Sequence, residues 1–172
     1  MPAESPSRPA IPAGPQGLRG PALVLFAAIL ALGAALRLDQ FTLQVLLDDE
    51  WHAVHQILRR GPASLVLELG HADFGIPLAL YDWALVQTVG LSETAMRVPM
   101  MLCGLATIVL FPLAVARRIG RAEALAFALL LATSPLLVAF SQVARPYAIN
   151  VFLGWVAHSA FLRYWKGSVR AG

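Results

Sequence analysis

Apolar residues gather into long blocks along the chain, and most charged residues sit in short clusters between them. Residues 22–36 form the first block, flanked by Arg19 and Arg37. Blocks at 98–116 and 122–140 are long enough for full membrane helices, with Arg117, Arg118 and Arg121 in the turn between them. A weaker block at 147–161 is closed by Arg163, Lys166 and Arg170, and its Asn150 and His158 are expected to face the protein interior. Residues 1–21, rich in Pro, Gly, Ser and Ala, read as a disordered tail without helical periodicity.

Composition sharpens this picture. With 58% hydrophobic and 13% charged residues, the chain has too little charge to clothe a water-facing surface. Helices satisfy their own backbone hydrogen bonds, so apolar blocks of this kind suit lipid. The net charge of +3 comes from basic clusters beside apolar blocks, with no basic face interleaved with aromatics. These are topology signals, and nucleic acid is not an expected partner. The single cysteine, Cys103, lies inside an apolar block and offers neither a disulfide framework nor a metal-type pair.

The segment 76–89 is apolar but spans only about 21 Å as a helix, and it carries Asp82 near its middle. A carboxylate at the bilayer centre costs about 3 kcal/mol. If this segment stays at the interface, the N-terminal tail and both later basic clusters fall on the cytoplasmic side, as the positive-inside rule prefers. The expectation is therefore an all-α, polytopic bundle of about four transmembrane helices plus interfacial amphipathic helices. In order, it comprises a cytoplasmic tail (1–21), a first span (22–38) and an external loop with an amphipathic helix (39–75). An interfacial helix (76–92) and spans at 97–116 and 121–140 follow. An external turn (141–146), a fourth span (147–164) and a cytoplasmic tail (165–172) complete it. The first loop and the 141–146 turn then share one external face.

That face carries the candidate chemistry. The loop sequence LLDDEWHAVHQILRR places Trp51, Val54, Ile57 and Leu58 at helical spacing, with Glu50, His52, Gln56, Arg59 and Arg60 on the polar side. Asp48 or Asp49 suits the helix N-cap, where a carboxylate also meets the positive end of the helix dipole. The functional alternative is a carboxylate at the membrane surface that takes a proton from an acceptor hydroxyl. Asp48, His52 and His55 share spacing suited to a metal but lack a fourth ligand, so no cofactor is expected and a divalent cation has no clear ligand set. His71 and Asp73 either pair with this group or cap the following helix. Arg145, beside Pro146, either snorkels to the interface or grips a phosphate with parallel hydrogen bonds, and Arg97, Arg59 and Arg60 fall on the same face. No Gly-rich phosphate loop, nucleophile elbow or HExxH motif occurs in the sequence.

The order of these features resembles the GT-C superfamily of membrane glycosyltransferases, in particular the bacterial relatives of protein O-mannosyltransferases and aminoarabinose transferases. An acidic pair, Asp49-Glu50, follows the first span. The segment IPLALYDW comes next, then Ala95-Met96-Arg97-Val98-Pro99, the basic turn ARRIGR, Ser134-Pro135 and finally SQVARPYA over 141–148. The resemblance implies inverting transfer of a sugar from a polyprenyl-phosphate carrier to a hydroxyl acceptor on a lipid, glycan or protein, at the external face of a bacterial inner membrane. It assigns Asp49 as the catalytic base or acceptor-orienting acid with Glu50 beside it, and Arg145, with Arg97 in second place, as ligands of the donor phosphate. Asp48, His52, His71, Asp73, Gln142 and Tyr147 would line the substrate site. Two departures stand out: the second acid that such enzymes carry near Val143 or Arg145 is missing, and their further helices are not in this sequence. The chain thus reads as an N-terminal portion of such an enzyme. The alternative from another class is a non-catalytic membrane subunit or small transporter-like protein, with Asn150 and His158 as helix-contact or pathway groups. A secreted product cleaved after a signal peptide is excluded by the later apolar blocks.

Overall fold

The computed structural model describes residues 18–43, 48–67, 75–118 and 120–171, with the side chains of 48, 49, 52, 53, 65, 66 and 166–171 outside the description. Its elements are all helical: α1 (Pro21–Leu38), α2 (Asp48–Arg60), α3 (Ser64–Leu67), α4 (Ile76–Gln87), α5 (Glu93–Ala116), α6 (Arg121–Thr133), α7 (Pro135–Gln142) and α8 (Tyr147–Ala171). Two of them, α1 and α5, are long and apolar enough to cross a membrane, and the bent pair α6–α7 makes up to three. At 25 residues α8 has the length, but Asn150, His158 and Arg163 dilute its apolar character. Two to three candidate spans therefore stand where four were expected, and α8 continues past the expected boundary at 164. Asn150 and His158 are both exposed, contrary to the expectation that they face inward.

Local chemistry explains where the helices start and break. Ser92 caps α5 by accepting a hydrogen bond from the Ala95 N–H at 3.2 Å, and Glu93 adds negative charge to its first turn. The structure thus starts this helix one turn before the expected 97. Pro99 and Pro112 inside α5, and Pro135 at the head of α7, lack a backbone donor and leave the carbonyl four residues earlier without its helical partner. In α5, Pro99 leaves the Ala95 carbonyl open, and the Tyr81 hydroxyl of α4 donates to it at 2.8 Å. In the third apolar block, Pro135 leaves the Leu131 carbonyl open. There the chain breaks into α6 and α7, bent by 54°, with Ser134 as the C-cap of one and N-cap of the other.

Arg37 fills this break. Its Nη2 donates to the Leu131 carbonyl at 3.0 Å, and Nη1 donates to Ala132 at 3.1 Å and to Gly33 at 3.0 Å. The exchange is reciprocal: Nε2 of Gln142, at the end of α7, donates to the carbonyls of Leu36, Arg37 and Asp39 at the end of α1. Arg37 at the end of α1 thus satisfies terminal carbonyls of α6, and Gln142 at the end of α7 satisfies those of α1.

Small residues permit the close approach this requires. Ala124, Ala128 and Ala132 recur at intervals of four on α6 and are fully buried, with Phe26 and Ile29 of α1 packed in the same cluster as Ala128 and Ala132. The alanine face of α6 thus meets α1 within this chain. A methyl group added at Gly104 would lie 2.1 Å from Ser141 Oγ, so α5 and α7 pack at a distance only glycine allows.

These contacts fix the direction of the bundle. Gly33 meets Ala132, and residues 36–39 meet Gln142, so α1 and α6–α7 run the same way. Gly104 meets Ser141 while Ile108 meets Gly33, so α5 runs opposite. Phe111 stacks on Trp155 with centroids 4.4 Å apart, and Ala148 clusters with Met96 and Met100, so α8 runs with α5. One end of the bundle holds α2, α4 and the 143–146 turn; the other holds Arg117, Arg118 and Arg163. The two basic segments expected on one side of the membrane do share an end.

Candidate functional site

At the end carrying the loops, α2 lies with Glu50, Val54 and Ile57 buried and Arg59 and Arg60 exposed. Of the four apolar positions picked by periodicity, Val54 and Ile57 are covered, while Trp51 and Leu58 are exposed. Glu50 was expected on the polar face; it belongs to the inner one, because positions 50, 54 and 57 lie along one helical stripe. The helix runs from Asp48, so Asp48 and Asp49 lie within its first turn.

The Glu50 carboxylate joins three segments. Arg97 of α5 donates from Nη2 to Oε2 at 3.0 Å and from Nε to Oε1 at 3.3 Å, a two-pronged ion pair with both side chains essentially inaccessible. The backbone N–H of Ala144, in the turn after α7, donates to the same Oε1. Arg97, expected to grip a donor phosphate, is 1% exposed and is instead committed to Glu50. Glu50 likewise is a buried fastening of the loop, rather than a group open to an acceptor.

Asp82 of α4, read from the sequence only as an obstacle to crossing the membrane, joins this cluster. Its side chain is 2% exposed, and Oδ1 has no hydrogen-bond partner among the described residues. Burial, followed by the nearby negative charge of Glu50, pushes its carboxyl up to about 7. Burial and then the charge of Asp82 also raise the adjacent Tyr81 phenol. The signal in the sequence was the acid's isolation within IPLALYDW, which suggested an interfacial helix; that helix is 12 residues long, too short to cross.

The 143–146 turn is drawn tight by two successive three-residue hydrogen bonds, Arg145 N–H to the Val143 carbonyl and Tyr147 N–H to the Arg145 carbonyl, both 2.8 Å. Ala144 is buried, Arg145 is half-buried, and Tyr147 is exposed with its ring 4.6 Å from that of Phe140. Gln142, expected to line a substrate site, uses its amide to close the end of α1. His55 is exposed and lies against Trp51 at 5.6 Å. The side chains of Asp48, Asp49 and His52, together with His71 and Asp73, lie outside the described residues. Among the described residues no group of three His, Cys, Asp or Glu could hold a metal ion.

The structure thus brings Glu50, Arg97, Asp82 and Ala144 into one cluster, with Arg145 next in sequence to its turn contact. Comparison with protein-family models, curated proteins and solved structures gives no match to this chain.

Proposed function

We propose that this chain is a membrane glycosyltransferase, or the N-terminal portion of one, acting on a polyprenyl-phosphate-linked sugar. The observation that supports this reading is the Glu50 clamp. It fastens the acidic segment of the first loop to the SQVARPYA turn, 94 residues away, and to Arg97. Those are the segments whose order resembles the GT-C enzymes. In this reading the acceptor hydroxyl attacks the anomeric carbon while the bond to the phosphate oxygen breaks, and Asp49 takes the hydroxyl proton. The polyprenyl phosphate leaves against Arg145 and the positive N-terminal end of α8, a combination suited to an anionic oxygen. Glu50 and Arg97 are positioning residues that fasten the segment carrying Asp49 to the turn that precedes α8 and carries Arg145. The proposed setting is a bacterial inner membrane with the N-terminus cytoplasmic.

Photo-crosslinking of the membrane-embedded chain with a polyprenyl-phosphate-sugar analogue tests this. Labelling should depend on Arg145 and survive Asp49→Ala, whereas sugar transfer should be lost in Asp49→Ala. Labelling indifferent to Arg145→Ala removes the assignment of the donor site.

A second reading, a non-catalytic membrane subunit, is favoured by the exposed Asn150 and His158 on α8. Polar groups on the outer face of a long helix suit hydrogen bonds to a partner helix. Absence of specific labelling in the wild-type chain would move this reading ahead.

A further inference from the structure

The end of the bundle opposite the Glu50 cluster carries a groove of about 310 Å³ between the end of α5 and the middle of α8. Its charged lining is Arg117, Arg118 and Arg163, and no acidic side chain contributes to it. Arg117 and Arg118 follow the last turn of α5, while Arg163 is held on α8 by its Nε, which donates to the Ser159 carbonyl at 3.3 Å. Among the described residues none of these three arginines has an ion-pair partner. Glu123, the acid nearest in sequence, lies over Gly120 and does not enter the groove. The three exposed guanidinium groups line one groove with no acidic group beside them among the described residues, an arrangement that an anion would complement.

The rest of the lining identifies the kind of anion. Ala114, Trp155 and Val156 form an apolar wall, and Trp155 is braced by its stack on Phe111. The groove lies where the apolar span of α5 gives way to basic residues, the depth at which lipid headgroups meet a membrane helix and tryptophan is favoured. Leu110 of α5 and Leu153 of α8, both exposed, extend apolar surface from the groove toward the bundle centre. A free inorganic anion has no use for this wall; a phosphodiester with an attached acyl chain matches both parts.

We propose that this groove binds an anionic phospholipid, with its phosphodiester held by Arg117, Arg118 and Arg163 and its acyl chain against Trp155 and Val156. The site does not depend on the glycosyltransferase reading, only on the chain residing in a membrane.

The test uses the full chain in phosphatidylcholine nanodiscs containing a minor fraction of phosphatidylglycerol, with retained lipids counted by native mass spectrometry. Wild type should retain phosphatidylglycerol preferentially. Each arginine near an anionic headgroup strengthens attachment about fivefold, so R117Q/R118Q/R163Q should lower the preference about 100-fold. Equal retention of both lipids by wild type, or an undiminished preference in the triple variant, overturns the proposal. Displacement of the lipid by excess inorganic phosphate would reveal a free-anion site and also overturn it. A second measurement does not depend on folding of the triple variant: with Trp51, Trp83 and Trp165 changed to Phe, brominated phosphatidylglycerol should quench Trp155 more strongly than brominated phosphatidylcholine. Equal quenching by the two lipids counts against the site.

Discussion

Arg37 and Arg97 are each 1% exposed, yet they are stabilised by different means. Arg37 has carbonyl oxygens for partners: those of Leu131 and Ala132 at the break in α6–α7, and that of Gly33 in its own helix. Its charge is met by the negative end of the α6 dipole and by the Leu131 carbonyl, which Pro135 had deprived of its donor. Arg97 has a carboxylate partner, Glu50, with a second acid, Asp82, close enough to feel that charge. The first arginine joins helix to helix with groups that do not titrate. The second joins loop to helix through a cluster that contains a carboxyl poised near neutrality. Bundle and loop are therefore fastened by chemistries that respond differently to pH.

Arg97→Leu strands Glu50 as a buried charge and should destabilise the chain by about 3–5 kcal/mol, the largest effect expected at either arginine. Chemical denaturation in detergent measures this, and adding Glu50→Met should recover much of the loss, since removing both charges costs less than removing one.

A pH series comes next. The folded-state carboxyl of Asp82, at about 7, lies above its ordinary value of 3.8, so the unfolded chain loses this proton first. Stability from this group is full below about pH 4 and declines as pH rises through about 7, by up to about 4 kcal/mol. Asp82→Asn should flatten that decline in thermal melts taken across the interval, while Arg37 variants should leave its slope intact. A slope unchanged in Asp82→Asn would remove Asp82 as its origin.

Arg37→Met retains bulk but leaves the Leu131 and Ala132 carbonyls without their donor, at a cost of about 2–3 kcal/mol. Hydrogen exchange should report the loss as increased opening of α6 near residue 130, with α2 unaffected. The smallest effect belongs to Gln142→Ala, expected at about 1 kcal/mol because the end of α1 is partly exposed and water replaces the amide. A larger loss there than in Arg37→Met would reverse the ranking of the two halves of the reciprocal cap.

Much of the helical layout was legible. Apolar blocks gave α1, α5 and the α6–α7 pair, and periodicity placed an amphipathic helix over α2. Ser134-Pro135 was visible as a motif. Its consequence was not, because the bend follows from a carbonyl that loses its donor and finds a new one 94 residues away at Arg37. Arg37 read as a flanking topology signal for the same reason: its partners are backbone groups, which leave no mark in side-chain patterns. Glu50 was assigned to the wrong face of α2 because a charged residue is ordinarily counted as polar, although its spacing from Val54 and Ile57 matched the buried stripe. The pairing with Arg97 connects two elements whose relative placement no local pattern encodes, and the same holds for the approach of Asp82.

The Arg37 cap also sets a timetable for synthesis. The carbonyls it serves are made 94 and 95 residues later, so at about 5–20 residues per second the guanidinium waits roughly 5–20 s for its partners. Throughout that interval α1 holds a cation that cannot settle within hydrocarbon and must keep its long stem reaching toward the aqueous boundary. Docking of α1 against α6 is then a late event in the birth of this protein, one that begins only when the ribosome has passed the proline that creates the vacancy.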